Sequence, residues 1–352
     1  MDIKKALADK KPAIDAAIER AVPRHLDAKS AERILGKPRY AYDLPVAEKA
    51  VNHLVWDLLD RGGKRWRPAL LLWAAEAVGG KKAAEMALEF AAIPEVLHNG
   101  TLVIDDLEDD SINRRGKPCL HRLYGTDLAV NAGNAMYFLP LQVLAGKKMD
   151  EKMKNRAYEV VVQEMVNLSY GQGFDIYWHH GHGKPSESEY LQMCAFKTGT
   201  LSRMSAKLGG ILGGGSDKQV DALGQFAEGL GIAFQIQDDV LNLVLPEGAW
   251  GKDAGEDITE GPRSLVVIHA LSKLAAREKQ ELLDILNSHT REKDSIARAI
   301  SLIQKTGALE YANQKAESLV DAAWKKLAPQ LKDGEAKDAL WALAHYAIRR
   351  QQ

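Results

Sequence analysis

Apolar residues recur three and four positions apart along most of this chain of 352 residues. Leu54, Leu58 and Leu59 show the spacing near the start, and Leu319 and Ala322 show it near the end. This period places apolar side chains on one face of an α-helix, and alternating polar and apolar runs long enough for strands are absent. The pattern therefore predicts an all-α protein built from many helices.

Local signals predict where several of these helices begin and end. Ser186 and Glu189 form a capping-box pattern directly after Pro185, which predicts a helix that begins there. Glycines predict helix ends at 79–80, at 116–118 and at 213–215.

The sequence carries no Pro- or Ser-rich linker and no low-complexity tract that would divide it. Its longest loop signal, roughly 246–263, contains several glycines and is typical of a lid or a binding loop. The chemistry-bearing motifs described below come from both halves of the chain and must meet in one site. We therefore expect a single domain over residues 1–352.

Composition excludes several classes of protein. Lys and Arg number 47 against 48 Asp and Glu, so there is no basic excess to attract nucleic acid. No window reaches 18 apolar residues, so we expect no membrane span. The only two cysteines, Cys119 and Cys194, exclude a disulfide framework and favour a reduced compartment. We expect a cytoplasmic protein.

Acidic residues crowd into the segment 105–110, which reads DDLEDD. Asp105 and Asp109 are four positions apart, so both carboxylates lie on one helix face. The cluster precedes a helix end that we expect near 113–116, where acids face the negative end of the helix dipole. Stability alone disfavours this arrangement, and a bound cation would reverse that.

A second polar cluster at 235–242 follows another apolar helical run. Gln235, Asp238 (or Asp239) and Asn242 share one of its faces. Oxygen ligands of this kind suit Mg²⁺, which keeps waters and bridges to substrate phosphates. Two matched acidic sets therefore predict a magnesium-dependent diphosphate site; the alternative is a pair of solvated acidic faces.

Cations suited to phosphate occur in other segments. Residues 62–68 read GGKRWRP, with three cations behind two glycines that permit close approach to an anion. Arg114 and Arg115, Lys197 and Lys252 add to them. Together they supply enough positive charge for two diphosphates.

Two other metal patterns are weaker. Glu95 and His98 match the ExxH pattern of di-iron bundles, but such a site needs two copies and the chain has one. His179, His180 and His182 lie in a glycine-containing loop without further ligands, which is typical of a solvated loop.

Taken together, these residues resemble the trans-isoprenyl diphosphate synthases of the polyprenyl synthetase family. The resemblance runs from about Gly62 to about Arg263. Its motifs are GGKRWRP at 62–68, HN at 98–99, DDLEDDSINRRGKP at 105–118, GQGFDIYW at 171–178, KTGTL at 197–201, GIAFQIQDDVLNL at 231–243 and GKDAGEDITEG at 251–261. The DIYW, DDxxNL and GEDITEG variants look most like the eukaryotic-type geranylgeranyl diphosphate synthases.

The resemblance implies a helical bundle around a deep central cavity, usually as a homodimer. It implies a prenyltransferase of isoprenoid lipid biosynthesis that condenses isopentenyl diphosphate with dimethylallyl, geranyl or farnesyl diphosphate. The expected product is geranylgeranyl diphosphate.

The resemblance also implies roles for the matching residues. Asp105 and Asp109 would bind two Mg²⁺ ions and Asp238 a third. The allylic diphosphate would contact Arg114, Lys197 and Lys252, with Thr198, Gln235 and Asn242 nearby. Isopentenyl diphosphate would contact Lys64, Arg67, His98 and Arg115. The catalytic set would be Asp105, Asp109, Asp238, Lys197 and Arg114.

Two positions depart from the family pattern. Asn242 replaces the third Asp of the usual second motif, as it does in the geranylgeranyl synthases that the chain resembles. Arg263 stands near a position where the family often has a Lys, and whether Arg263 contacts diphosphate stays open.

Product length depends on the residues before Asp105, because one helix turn of about 5.4 Å is roughly one isoprene unit. In the family, aromatic residues one turn earlier stop the chain early, whereas this chain has Gly100 and Thr101. Tyr137, Phe138 and Ser169 are candidates for a deeper floor. Since Ser169 is small, a product of C25 or above is the alternative.

Two other functions share parts of this pattern. A class I terpene cyclase uses the same ionisation and metals, but it needs no site for a second diphosphate. A non-catalytic partner subunit would be expected to lack the acids of the first motif or Arg114, and all are present.

Overall fold

The computed structural model describes residues 1–244, 258–259, 261 and 263–348, and these residues are mostly α-helical. The described part of the chain contains one two-stranded antiparallel ribbon, β1 (Asn113–Arg114) and β2 (Lys117–Pro118). The all-α prediction is therefore confirmed.

The described residues group into two compact units. The first unit comprises 1–159, 205–216 and 333–339, and the second comprises 160–204, 217–332 and 340–352 without the residues that lie outside the description. The prediction of a single domain over 1–352 stays a prediction.

Ten helices are described in the first unit before residue 150. They are α1 (Ile3–Ala21), α2 (Ala28–Leu35), α3 (Leu44–Ala47), α4 (His53–Asp60), α5 (Trp66–Gly79), α6 (Lys81–Ala87), α7 (Ala92–Glu108), α8 (Leu120–Tyr124), α9 (Thr126–Phe138) and α10 (Gln142–Gly146). A π-helical turn, Glu48–Asn52, precedes α4, and 3₁₀ turns lie at Leu88–Ala91 and Leu139–Leu141.

The core of the first unit is built on α5, whose apolar residues occur on every side. Leu70, Leu71 and Ala74 are completely buried. Gly209, from the segment 205–216 of the same unit, packs against this helix. A Cβ on Gly209 would lie 2.2 Å from the Leu71 carbonyl oxygen, so this position has no room for a side chain. A helix that is apolar all round belongs in a core, which accounts for the burial of α5.

The packing of α7 against α9 fixes the helix that bears the first acidic cluster. A Cβ on Gly133 of α9 would lie 2.8 Å from Cδ1 of Ile104 on α7. A Cβ on Gly100 of α7 would lie 2.8 Å from Cβ of Met136 on α9. Glycine on each helix therefore allows the two backbones to approach closely.

One stretch, Thr126–Gly146, is long and apolar enough for a membrane-crossing helix, and 33% of its most apolar window is buried. It consists of α9, a 3₁₀ turn with Pro140 at its centre, and α10. Core helices meet the same criteria of length and composition, so this is weak evidence for a span. The expected absence of a membrane span stays a prediction.

The second unit contains long helices with a shared core. Its helices, three of which also contribute residues to the first unit, are α11 (Glu151–His179), α12 (Glu187–Lys197), α13 (Gly199–Leu212), α14 (Asp217–Val244), α15 (Leu265–Lys273), α16 (Ala276–Asn287), α17 (Lys293–Gln304), α18 (Ala308–Leu327) and α19 (Glu335–Ile348). α14 packs along α18, where the rings of Phe226 and Trp324 lie 5.4 Å apart. The predicted capping box is confirmed at the start of α12, where Ser186 and Glu189 cap each other's backbone N–H groups.

Two of the three predicted glycine stops are correct. α5 ends at Gly79, and α13 ends at Leu212, directly before the glycines at 213–215. The predicted end near 113–118 is wrong, because α7 already ends at Glu108 and the following segment forms the ribbon.

Candidate active site

The carboxyl end of α7 carries the first acidic cluster. Asp110 has φ of 49°, in the left-handed region, and its N–H donates to the Leu107 carbonyl. The Ser111 N–H donates to the Asp106 carbonyl at 2.9 Å. This pair of bonds is a Schellman cap, and aspartate tolerates the left-handed conformation that the cap requires better than most side chains do. The helix therefore ends directly after its acids.

The acids of this cluster point in two directions. The side chain of Asp105 is 26% exposed, and Asp109, four residues later, is also exposed. Asp106 is buried and accepts a hydrogen bond of 2.7 Å from Nε of Arg114. Asp105 and Asp109 are thus on the accessible face, while Asp106 holds an arginine.

Arg114 lies on β1, beside the acids. Burial opposes its charge, but the hydrogen bonds to Asp106 outweigh burial and raise the pKa of the guanidinium. Its Nη2 is 4.0 Å from Oδ2 of Asp105. An arginine is therefore held next to the face on which a metal-bound diphosphate would sit.

The turn of the ribbon explains how Arg115 is placed. Arg115 and Gly116 are the two central residues between paired Arg114 and Lys117, with φ of 53° and 76°. Positive φ at both central positions is the signature of a type I′ hairpin turn. Nη1 of Arg115 then donates to the Gly62 carbonyl at 2.7 Å and to Oδ1 of Asn99 at 3.1 Å.

The basic loop 62–67 lies next to Arg115. Gly62 and Gly63 have φ of 102° and 136°, values that glycine adopts easily. Lys64 is exposed, whereas Arg67 is buried in the first turn of α5. The loop therefore combines an accessible lysine with an arginine held in the helix start.

His98 of α7 is half-buried amid these cations. Burial and the positive charges of Arg67, Arg115, Arg114 and Arg65 hold its pKa well below 6.5. The imidazole is therefore neutral at neutral pH, and a neighbouring anion would lower the cost of charging it. The predicted set of Lys64, Arg67, His98 and Arg115 is brought together within the first unit.

In the second unit, α14 carries the second polar cluster. Asp238 and Asn242 are half-buried and four residues apart, and thus on one face. Asp239 is buried instead, and it accepts hydrogen bonds from the hydroxyl of Tyr190 (2.7 Å) and Nε2 of Gln235 (2.9 Å). Burial raises the pKa of Asp239 to about 7 despite these bonds. The structure thus separates the two adjacent aspartates that the sequence left as alternatives.

Lys197 and Thr198 lie at the junction between α12 and α13. Nζ of Lys197 is 2.5 Å from Oδ2 of Asp175, and Oγ1 of Thr198 donates to Oε1 of Gln235 at 2.8 Å. Asp175 belongs to the GQGFD segment, but nothing in its sequence spacing assigned it a partner. Its pairing with Lys197 depends on the packing of α11 against this junction.

Glycines bring this junction into place. A Cβ on Gly171 of α11 would lie 2.3 Å from the backbone nitrogen of Lys197. A Cβ on Gly231 of α14 would lie 2.6 Å from Cα of Gly199. The backbone at 197–199 therefore touches both helices, which sets the distances from Lys197 to Asp175 and from Thr198 to Gln235.

Comparison with known proteins identifies the family. Residues 48–303 match the sequence profile of the family described as polyprenyl synthetase. The geranylgeranyl diphosphate synthase of Methanosarcina mazei is 33% identical over 338 residues, which cover 96% of this chain and 95% of that protein. This chain belongs to the polyprenyl synthetase family. It is therefore a prenyltransferase.

Solved structures of related enzymes superpose on this prenyltransferase and agree with its assignment to the family. The geranylgeranyl pyrophosphate synthetase of Pyrococcus horikoshii superposes with a TM-score of 0.87 at 30% identity, covering 99% of each chain. A polyprenyl synthase from Caulobacter crescentus, solved with calcium and isoprenyl diphosphate, superposes with a TM-score of 0.81 at 25% identity, covering 99% of this chain and 98% of that one.

The carboxylates of this polyprenyl synthetase fit magnesium. Within the described ranges, no three His, Cys, Asp or Glu side chains form a group that could hold a metal by themselves. Mg²⁺ is commonly held by one or two carboxylates, waters and substrate phosphates, and needs no protein-only cage. Asp105, Asp109 and Asp238 offer oxygen ligands of this kind.

The predicted chain-length residues fall in different environments. Thr101 and Tyr137 are both half-buried, and burial of Tyr137, helped by the charges of Glu108 and Asp105, raises its pKa. Phe138 is 68% exposed, and Ser169 is exposed and donates to the Met165 carbonyl. Gly100 contacts α9, so its smallness serves helix packing.

Lys252 and Arg263 belong to the segment 246–263, which carries the glycine loop. Lys252 lies outside the described residues. Arg263 is buried and donates to the Gly261 carbonyl (2.8 Å) and to Oδ1 of Asn287 (2.5 Å). The known contacts of Arg263 are thus within the protein.

Proposed function

We propose that this prenyltransferase condenses isopentenyl diphosphate with allylic diphosphates to make geranylgeranyl diphosphate. The observation that carries the proposal is the separate cation set of Lys64, Arg67, His98 and Arg115 beside an acidic face in the same unit. An enzyme that only ionises one diphosphate needs no such second anion site. Relatives named geranylgeranyl diphosphate synthase support the choice of product.

The acids are assigned to the metal. We infer that Asp105 and Asp109 hold two Mg²⁺ ions and that Asp238 holds a third. When bound, Mg²⁺ neutralises the charge that develops on the departing diphosphate. The accessible positions of Asp105 and Asp109, and the half-buried position of Asp238, support this assignment.

The remaining cations are assigned to the allylic diphosphate. Arg114 and Lys197 would donate charge-assisted hydrogen bonds to its oxygens, with Lys252 as a further donor. Asp106 and Asp175 orient the first two side chains. Thr198, Gln235 and Asn242 would contribute further polar contacts from the second unit.

The reaction proceeds in three steps. The allylic carbon–oxygen bond breaks, and its electron pair leaves with the diphosphate, which Arg114 and Lys197 stabilise. The double bond of isopentenyl diphosphate, held by the cation set, attacks the carbocation and forms the new carbon–carbon bond. The departed diphosphate then accepts the proton that leaves the adduct, which restores a double bond.

The allylic carbocation must be protected from water, so the growing isoprenoid tail needs an apolar environment. An apolar path past Thr101 and Tyr137 would accept the growing chain. A Thr101→Phe variant should shorten the product, since an aromatic ring would fill the space one turn before Asp105. Gly100 is unsuitable for this test because a side chain there would strike α9.

The working form is assigned as a cytoplasmic homodimer of single-domain subunits. The buried, unlinked Cys119 and Cys194 support a reducing compartment. The exposed apolar side chains Leu128 and Phe138 support a partner on the first unit.

The deciding experiment is incubation with Mg²⁺, labelled isopentenyl diphosphate and, in turn, dimethylallyl, geranyl or farnesyl diphosphate. Mass spectrometry of the products should show a C20 diphosphate as the end point. A product of C25 or above would establish the longer-chain alternative, and a cyclic hydrocarbon released without incorporation would establish a cyclase. No incorporation from any primer would refute the proposal.

A further inference from the structure

Arg65 is the one cation of the GGKRWRP segment to which sequence reasoning gave no role. Its backbone has φ of 53°, a left-handed conformation that a residue with a side chain rarely adopts. Its side chain is 4% exposed. A conformation of this kind persists only where the surroundings hold it, so the contacts of the guanidinium should explain it.

The guanidinium of Arg65 is occupied by protein groups on four sides. Nε donates to Oδ1 of Asp15 at 2.8 Å, and Nη1 donates to Oε1 of Glu95 at 2.8 Å. Nη1 also donates to the Gly62 carbonyl at 3.2 Å, and Nη2 donates to the Leu59 carbonyl at 3.0 Å. The side chain is therefore directed into the protein and not toward a ligand.

These contacts continue into a closed ring of hydrogen bonds. Glu95 accepts from Nδ2 of Asn99 through Oε1 at 3.2 Å, and Oδ1 of Asn99 accepts from Nη1 of Arg115 at 3.1 Å. Arg115 returns to the Gly62 carbonyl at 2.7 Å, the same oxygen that Arg65 contacts. Glu95 is 3% exposed and Asn99 is 0% exposed, so water does not compete for these bonds.

Within the ring, the buried carboxylate of Glu95 lies between two guanidiniums, those of Arg65 and Arg115, and Asp15 adds a second carboxylate from outside the ring. The charge of Arg65 is thus paired with carboxylates of the protein. The attraction for an anion therefore comes from the remaining donors of Arg115 and from Lys64 and Arg67. Since Arg65 contacts protein groups and the other cations attract the anion, Arg65 is assigned the role of holding those cations in place.

We propose that Arg65 is a positioning residue for isopentenyl diphosphate. Through Glu95 and Asn99 it ties the basic loop to α7 and to the ribbon turn, and so holds Lys64, Arg67 and Arg115 at a fixed spacing around His98. Through Asp15 it also anchors this loop to α1. The inference rests on the proposed function, which assigns that cation set to isopentenyl diphosphate.

The test is Arg65→Lys, which keeps the charge but loses the forked donors. The KM for isopentenyl diphosphate should rise about tenfold, while kcat and the KM for the allylic substrate should change less than about twofold. Calorimetric binding of isopentenyl diphosphate should weaken by the same factor. A Glu95→Gln variant, which keeps the shape and removes the charge, should act in the same direction.

The matched control is Arg203→Lys in the second unit. Arg203 is also a buried forked arginine, and its Nε donates to Oε1 of Glu164 at 2.7 Å. Its replacement should lower the melting temperature in a similar way but leave the KM for isopentenyl diphosphate unchanged. If Arg65→Lys also changes only the melting temperature, the role is structural and the inference is wrong.

Failure of the inference and failure of the proposed function have different outcomes. If Lys64→Ala leaves the KM for isopentenyl diphosphate unchanged, the assignment of the cation set is wrong. If Lys64→Ala raises that KM and Arg65→Lys does not, the positioning role alone is refuted. Should Arg65→Lys fail to fold, Asp15→Ala decides, since it removes one hydrogen-bond partner of Arg65 on a side chain that is 34% exposed; an unchanged KM for that variant overturns the inference.

Discussion

At the scale of single residues, adjacent aspartates differ in exposure and in their partners, because successive side chains on a helix point about 100° apart. Asp105 is accessible while Asp106 holds Arg114, and Asp238 is half-buried while Asp239 bonds to Tyr190. In each acidic pair, the more accessible carboxylate is the one proposed to bind metal, and the other holds a neighbouring side chain.

Removal of a metal ligand should cost most of the activity. Asp105→Asn should lower kcat by at least about 100-fold, because it weakens the charge stabilisation of the leaving diphosphate. The measurement is the steady-state rate at saturating Mg²⁺, with the circular dichroism spectrum unchanged. Asp110→Asn is the matched control, since Asp110 is exposed, pairs with Arg122, and asparagine tolerates its left-handed backbone. Equal loss in both variants would contradict the metal assignment.

The depressed pKa of His98 predicts a pH dependence of stability. Between its folded pKa and about 6.5 the unfolded chain binds a proton that the folded protein does not, so the free energy of unfolding falls as pH falls. The slope from this residue can reach about 1.4 kcal/mol per pH unit below pH 6.5 and vanishes above it. Urea unfolding at a series of pH values should show it, and His98→Gln should lack it. Parallel profiles for the two proteins would show that His98 is not held neutral.

At the scale of elements, glycines decide where helices touch, and their role could not be inferred from helical period alone. Gly100 and Gly133 hold α7 against α9, and Gly171 and Gly231 hold the 197–199 junction. The type I′ turn at Arg115 was also missed, because strands of two residues have no alternating pattern to detect. By contrast, the capping box at Ser186 was predictable because a cap depends on residues within one turn.

Two glycines of α11 make a matched pair for testing this packing. Gly171→Ala should destabilise the protein and raise the KM for the allylic substrate, since its Cβ would lie 2.3 Å from the Lys197 backbone. Gly173→Ala has nothing within 4 Å and should raise the free energy of unfolding by about 0.5–1 kcal/mol, as alanine favours a helix over glycine. Chemical unfolding and steady-state kinetics check both. Similar effects of the two substitutions would contradict the packing role.

At the scale of the whole molecule, exposed apolar surface remains on the first unit. Leu128 is 37% exposed and Phe138 is 68% exposed, in the stretch Thr126–Gly146. A second subunit and a membrane are the two environments that would cover such a surface.

The mass of the protein in solution distinguishes a second subunit from a membrane as the cover of this surface. We expect about twice 38.7 kDa by analytical ultracentrifugation without detergent. A Phe138→Lys variant should show a larger monomer fraction, because it would place a charge in the proposed dimer interface. Recovery of the protein only in the membrane fraction would contradict the cytoplasmic dimer.

The sequence by itself determined the helical class, the ends of several helices, the family and most of the residues assigned to the site. These depend on local period and on the identity of chemistry-bearing groups, which neighbours along the chain already define. Only the tertiary structure decided which of two adjacent aspartates is accessible, that Asp175 holds Lys197, and that Arg65 faces inward to Asp15 and Glu95. Those facts depend on contacts between residues up to 50 positions apart, and such contacts leave no periodic trace in the chain.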